Sequence, residues 1–315
     1  MLKHAKTSAK SDGADATLVQ PSDWNADHVI DSDGAKMATR SDTPSAPAAG
    51  NLQLYGSTAG GGALPATIPP SGGAFELQPF MGRKRIDYFM PIPAATGWNT
   101  GSFFGLSPNT VGTGTGRTPA TTNLFSSLAR IGWVSSTSAN NRAVTYGQVR
   151  YWRGNAAKCG GFRCVFRFGI SDASLVSAAN MFVGLSSTSS VGSGGAEVTT
   201  VLNAIGVGCN SGETELSLIT NDGTGTATKT SLGTSFPCNT TNTDVYELVL
   251  YAAPNASEVS YKLLRINTGD VTSGTVSSDL PVNTQFMTPI FMRGNMGTAA
   301  AVGIDVVSFY GETEY

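Results

Sequence analysis

Rhythm limits the fold of this chain more than any single residue does. From residue 84 to residue 315, short apolar runs alternate with clusters of Gly, Asn, Asp, Ser and Thr such as GSGGAE, NDGTGT, NASE, NTGDVTSG and RGNMGT. Runs of about five or six residues have the length of a strand, whereas helices average about eleven. The intervening residues are those that tolerate a positive φ or bond their own backbone in Asx turns. The clearest run is 162–170, in which Phe162, Cys164, Phe166, Phe168 and Ile170 share one face and Arg163 and Arg167 the other. That is the period of two of a half-buried strand. Further strands are expected at 181–185, 205–209, 215–220, 245–251, 259–266, 286–292 and 302–310.

One segment breaks the rhythm. In 122–131, Leu124, Leu128 and Ile131 fall at helical spacing behind Thr122, a residue able to cap a helix, and a short helix is expected there. No βα alternation surrounds it. The expected fold is therefore all-β, an antiparallel two-sheet sandwich of the jelly-roll kind with its core between two apolar inner faces.

An extended N-terminal arm precedes this region. Residues 1–48 are polar, with Asp at 12, 15, 23, 27, 31, 33 and 42 and one apolar island of Leu18, Val19, Trp24 and Val29. Such a segment cannot bury a core of its own and needs a partner surface. Residues 49–84 form a Gly/Pro-rich joint: Leu52, Gln53, Leu54 and Tyr55 alternate like a short strand, and STAGGGALPATIPPSGGA reads as linker. Residues 85–315 are left for the sandwich.

Composition narrows the function. Only 13% of the 315 residues are charged, against about 25% in an average globular protein, and 20 basic against 22 acidic side chains give a net charge of -2. Nucleic acid, which demands a basic footprint, is not an expected partner. No apolar run approaches the length that crosses a bilayer, and the first thirty residues lack the apolar centre of a signal peptide, so synthesis in the cytoplasm without membrane insertion is expected. The two histidines, His4 and His28, both lie in the arm, which leaves the sandwich without an imidazole base or metal ligand. Neither metal nor cofactor is expected. Cys159, Cys164, Cys209 and Cys238 are too few and too irregular for a disulfide framework and are read as free thiols.

Specific residues carry a resemblance. GADATLVQPSDWNADHV at 13–29, above all its TLVQPSDWN core, resembles the N-terminal segment of tailed-bacteriophage structural and tail-fibre proteins. WRGNAAKCGGFRCVFRFGISDA (152–173), MFVGLSS (181–187), AIGVG (204–208), YELVLYAAP (246–254) and DLPVNTQF (279–286) are similar to a domain of phage fibre and virion proteins. The resemblance implies a concanavalin-like sandwich in a homotrimeric appendage of the virion, assembled in the host cytoplasm. Its partners would be other virion proteins of the head, the portal or adaptor, or the tail. Leu18, Val19, Pro21 and Trp24 would anchor the arm, their burial offsetting about 1–2 kcal/mol per residue of ordering entropy.

Three functions follow for the sandwich. In the first it recognises a host-surface glycan, because a sugar's apolar C–H face stacks on an aromatic ring while amides and carboxylates hold its hydroxyls. Trp98, Trp133, Asn221 and Asp222 are the candidates. The second is a structural fibre, decoration or adaptor protein that touches only virion chains. The third, a depolymerase using two carboxylates, would draw on Asp172, Glu197, Glu213, Glu215, Asp222 or Asp270. No pair among them stands out by spacing, and the chain shows no β-helical repeat. The expectation is a binding or structural protein with no catalytic residues.

Overall fold

A computed structural model describes residues 39–58, 64–70, 75–76, 84–91, 101–104, 109–148, 151–156 and 159–314. The anchor residues Leu18, Val19, Pro21 and Trp24 lie outside that set. A small sheet precedes the sandwich: β1 (Thr39–Arg40) runs parallel to β2 (Gln53–Ser57), which pairs antiparallel with β3 (Leu64–Ile68), and β4 (Phe75–Glu76) closes the order. Part of the presumed linker is therefore a strand. Leu64 to Ile68 pairs residue for residue with β2 and buries Ala66 and Ile68, apolar positions that alternate with Pro65 and Thr67 inside a Gly/Pro-rich context.

Two large antiparallel sheets form the sandwich, as the sequence rhythm requires. The seven-stranded sheet has the order β15 (Thr228–Ser231), β14 (Ser217–Asn221), β13 (Ala204–Cys209), β12 (Asn180–Ser186), β19 (Thr288–Gly294), β10 (Arg142–Tyr146) and β7 (Asn109–Val111). In the nine-stranded sheet the order is β18 (Asp270–Val276), β17 (Val259–Arg265), β16 (Tyr246–Ala252), β11 (Phe162–Ile170), β20 (Gly303–Glu314), β5 (Lys84–Pro91) and β6 (Gly101–Phe104). There β9 (Arg130–Val134) also pairs with β20, and β8 (Thr113–Arg117) with β9.

The alternation in β11 decides where the core sits. Phe162, Cys164, Phe166, Phe168 and Ile170 all point between the sheets and are buried. Phe166 lies 5.0 Å from Phe309 and 5.5 Å from Phe291, ring centre to ring centre, so three strands meet on one residue. Each such side chain contributes about 1.5–3 kcal/mol on burial. The register with β20 skips Val307, between the partners of Arg167 and Phe168, and this bulge lets Val306 and Phe309 of β20 both face the core.

A second, smaller core covers the outer face of the seven-stranded sheet. Residues 187–203 cross that face and bury Val191, Val198 and Val201 against Val144, Phe182, Ile290 and Met292. The strap is tied down along its length. The Arg142 guanidinium donates to the carbonyls of Ser189, at 3.0 Å, and Val191; Asn180 Nδ2 donates to Ala196 O at 3.0 Å; and the Ala227 N–H donates to Thr199 O at 2.8 Å.

Two further expectations change. The helix is a single turn, α1 (Leu124–Ser127), capped by Asn123 instead of Thr122: Ser126 N–H donates to Asn123 Oδ1 at 2.8 Å, and Asn123 N–H donates to Ser126 Oγ at 3.0 Å. Leu128 is already extended, and Ile131 pairs with Val306 in β9, because ladder bonds to β20 and burial on the inner face outweigh helical spacing in so short a run. NTGDVTSG, read as a turn, instead supplies β18, an edge strand that pairs with β17 from Asp270 to Val276. Its polar residues are what an exposed edge tolerates.

Candidate functional site

Strand direction gives the sandwich two distinct ends. Lys84 begins β5 opposite Glu314, near the end of β20, so the chain enters and leaves the sandwich at one end, called here the arm end. The segments that meet there are 147–148, 151–156, 159–161, 221–228, 252–259 and 276–288. Arg153 locks three of them together. Its Nε and Nη2 donate to Pro281 O at 3.0 and 2.8 Å and its Nη1 to Ala256 O at 2.9 Å, while its own carbonyl accepts from the N–H groups of Gly161 and Asn255. A planar guanidinium whose three hydrogen bonds all fall on carbonyls is a rigid clamp.

That clamp displays an aromatic ledge. Trp152 packs on Phe286 with ring centres 5.1 Å apart and planes 30° from parallel, and Phe286 remains 46% exposed. Val282 (47% exposed) and Leu202 (41%) are further exposed apolar residues of this end, where the Val282 N–H donates to Asn203 Oδ1 at 3.0 Å. Asn155, Asn255, Asn283 and Gln285 lie on the segments that hold the ledge, and the Gly154 N–H donates to Asn283 O at 3.0 Å. Partly exposed rings on segments that carry amide side chains are the combination that the sequence assigned to other aromatic residues.

The predicted turn borders the same end. Asp222 caps it, Oδ1 accepting from the Thr224 N–H and Oγ1, both at 2.9 Å, while Asp279 accepts from the Asp222 N–H at 3.0 Å and the Thr228 N–H at 2.8 Å. Asp222 is half-buried at the rim. Asn221 is fully buried, with Oδ1 accepting from the Gly223 N–H at 3.0 Å and Nδ2 without a hydrogen bond. It lies on the strapped outer face, and no ligand reaches it. Trp133, 4% exposed, is a core residue of β9 that tilts against Phe89 at 6.5 Å, so it offers no ring face. Trp98 lies outside the described residues. Of the three glycan-binding candidates among the described residues, Asn221 and Trp133 are buried and Asp222 reaches the surface of this end.

The acidic side chains are spread over the molecule. Glu213 and Glu215 line one shallow depression of about 280 Å³ with Lys229 and Ser231. Glu213 bonds Lys229 and accepts from the Asn210 N–H at 2.9 Å, and Glu215 accepts from Ser231 Oγ at 3.3 Å. Asp172 is fully buried against Arg293. The four cysteines are free thiols. Cys164 and Cys209 are buried and their thiols pushed well up, Cys164 chiefly by burial and Cys209 chiefly by a hydrogen bond with Cys238. Neither is poised as a nucleophile.

No protein-family model matches the sequence, and no curated protein matches it. Among solved structures, lectin II from Ulex europaeus is similar over 73% of this chain and 99% of its own, at 14% identity and a TM-score of 0.46. A protein of unknown function from Shewanella oneidensis MR-1 is similar over 75% of this chain and 89% of its own, at 12% identity and a TM-score of 0.45. The CBM2 module of the evolved Dit of Lactobacillus casei BL23 phage J-1 is similar over 75% and 93%, at 11% identity and a TM-score of 0.39.

Proposed function

We propose that this chain is a bacteriophage virion appendage whose N-terminal arm docks on the particle through Leu18, Val19, Pro21 and Trp24 and whose sandwich binds a host-surface glycan on the Trp152–Phe286 ledge. One observation carries the glycan reading: two aromatic rings 5.1 Å apart stay partly open to solvent on a frame fixed by Arg153. Rings fixed before binding lose little entropy when a sugar stacks on them. A neutral polymer also suits so weakly charged a chain. Display in several copies would raise the avidity of a feeble single contact by about 10² to 10⁴.

The test is binding of the purified chain to cells of the bacterium on which the particle grows and to polysaccharide extracted from them. Trp152→Ala and Phe286→Ala should each weaken binding at least tenfold, with Trp133→Phe as a core control. No binding at saturating concentration removes the glycan reading.

A second reading, a fibre or decoration protein that contacts only virion chains, is favoured by the position of the ledge at the arm end. An apolar surface there faces the base from which the chain comes. Under this reading the same substitutions leave cell binding at zero and instead lower incorporation into particles.

A further inference from the structure

Cys209 and Cys238 take no part in the ledge, yet the fold brings their sulfurs together. Cys209 ends β13, and the register carries it across β12 to β19: Cys209 stands opposite Met181, and Met181 opposite Arg293. Cys238 follows β15 in the chain. The Glu215–Pro237 bridge and the bond from the Cys238 N–H to Thr214 O, at 3.0 Å, lay residues 236–238 along 214–216. Arg293 ties the same residue to the row, its Nη1 donating to Cys238 O at 3.2 Å. Both cysteines therefore sit in one buried cluster, where the Cys209 thiol donates to the Cys238 sulfur and Cys238 Sγ donates to Glu213 O at 3.0 Å. Two sulfurs in hydrogen-bond contact need only close the last part of the distance to a covalent S–S bond.

The two thiols are unequal. Their hydrogen bond lowers the Cys238 thiol and raises that of Cys209, and the Arg293 guanidinium also favours the Cys238 thiolate. Cys238 is thus the sulfur that reacts first and Cys209 the one that resolves. Access is narrow, since Cys238 is 1% exposed. The backbone that holds it, Glu213 and Thr214, also lines the shallow depression shared with Lys229 and Ser231. A small uncharged oxidant is the class that reaches the sulfur when this one turn opens.

We infer that Cys209 and Cys238 form an oxidation site that a peroxide closes into a disulfide at the edge of the seven-stranded sheet. The Cys238 thiolate attacks one peroxide oxygen, the O–O bond breaks, and hydroxide leaves Cys238 as a sulfenic acid. The Cys209 sulfur then attacks the Cys238 sulfur, the S–O bond breaks, and the oxygen departs as water with the Cys209 proton. Two thiols give up two electrons, and one peroxide becomes two waters. The bond closes the 209–238 stretch around β14 and β15, the outermost strands of that sheet. The inference goes beyond the glycan reading and is independent of it.

Hydrogen peroxide titrated into the full chain carrying Cys159→Ser, which removes the least buried thiol, tests the site. After alkylation of the remaining thiols, peptide mass spectrometry should find Cys209 linked to Cys238 while Cys164, as buried as either, stays reduced. The oxidised chain should melt about 5–10 °C higher, and dithiothreitol should reverse the change. Adding Cys209→Ser should let dimedone trap the Cys238 sulfenic acid; the titration of the parent chain decides the matter even where that variant fails to fold. Thiols that stay reduced at every peroxide concentration, a Cys238 sulfenic acid that persists in the parent chain without the linkage, oxidation of Cys164 in step with the pair, or a linkage that lowers the melting temperature each overturns the inference.

Discussion

Arg293 donates from Nε and Nη2 to a single oxygen of Asp172, at 2.8 and 2.6 Å, and neither side chain has any exposed surface. The pair joins the sheets at the end opposite the arm: Asp172 follows β11, Arg293 belongs to β19, and the Gly303 N–H of β20 donates to the second Asp172 oxygen at 2.7 Å. Removing one partner of a buried pair leaves a desolvated charge and costs about 3–5 kcal/mol. Asp172→Ala should lower the urea unfolding free energy by that amount, while Asp172→Leu with Arg293→Met should lose much less. A loss below about 1 kcal/mol for the single variant would show that water reaches the site.

Gly311 makes room for Tyr151 against the nine-stranded sheet. A Cβ at this position would lie 2.0 Å from Tyr151 Oη and 2.7 Å from its Cζ, and the hydroxyl is held by a 2.7 Å hydrogen bond that it donates to Asp87. Gly311→Ala should cost about 1–3 kcal/mol through overpacking. Adding Tyr151→Phe should recover part of the loss of melting temperature, since it deletes the nearest of the colliding atoms.

Alkaline conditions should destabilise the fold. Burial, followed by the nearby Asp244 carboxylate, pushes the Tyr246 phenol well above its usual value, and the hydroxyl donates to Pro237 O at 2.6 Å. The neutral phenol is the folded form. As pH rises past about 10 the unfolded chain loses this proton and the folded chain keeps it, so the stability present below that pH falls by up to about 1.4 kcal/mol per pH unit for this group. Denaturant titrations from pH 8 to 11 should show the decline, and Tyr246→Phe should flatten it in part, because Tyr310 and Cys164 shift in the same direction.

Arg142 should govern the strap. Its guanidinium supplies bonds to the carbonyls of Ser189 and Val191, and burial lowers its pKa. Arg142→Ala should speed hydrogen exchange and limited proteolysis within 187–203 while leaving exchange in β11 and β16 unchanged, an opening of one local unit. Equal acceleration everywhere would mean that the strap and the sandwich unfold together.

Legibility in the sequence followed burial. The 162–170 strand was readable because five inward residues alternate with outward ones, and the register onto β16 and β20 bears out the face assigned to each. β18 was hidden because an edge strand needs little apolar surface, and its Asp, Thr, Ser and Gly suit a turn equally well. The place of the candidate ledge was not legible. Asn221 and Trp133 carry suitable chemistry, yet only tertiary packing reveals that both are covered. Trp152 and Phe286 stand far apart in the chain, and nothing local announces that the bridge between Tyr151 and Met287 brings their rings together.

The pairing of Lys84 with Glu314 also fixes how the domain would bear force. Tension applied to Lys84 along the axis of β5 would pull that strand against β20, whose ladder runs in register from Phe309 to Glu314. The hydrogen bonds are loaded together, in shear, instead of unzipping one at a time. A load shared between the arm and the ledge would pass through β5, β20 and the Tyr151 loop and leave the Arg293–Asp172 end slack. Rupture under such a load follows the unfolding rate of that short path and not the stability of the whole domain.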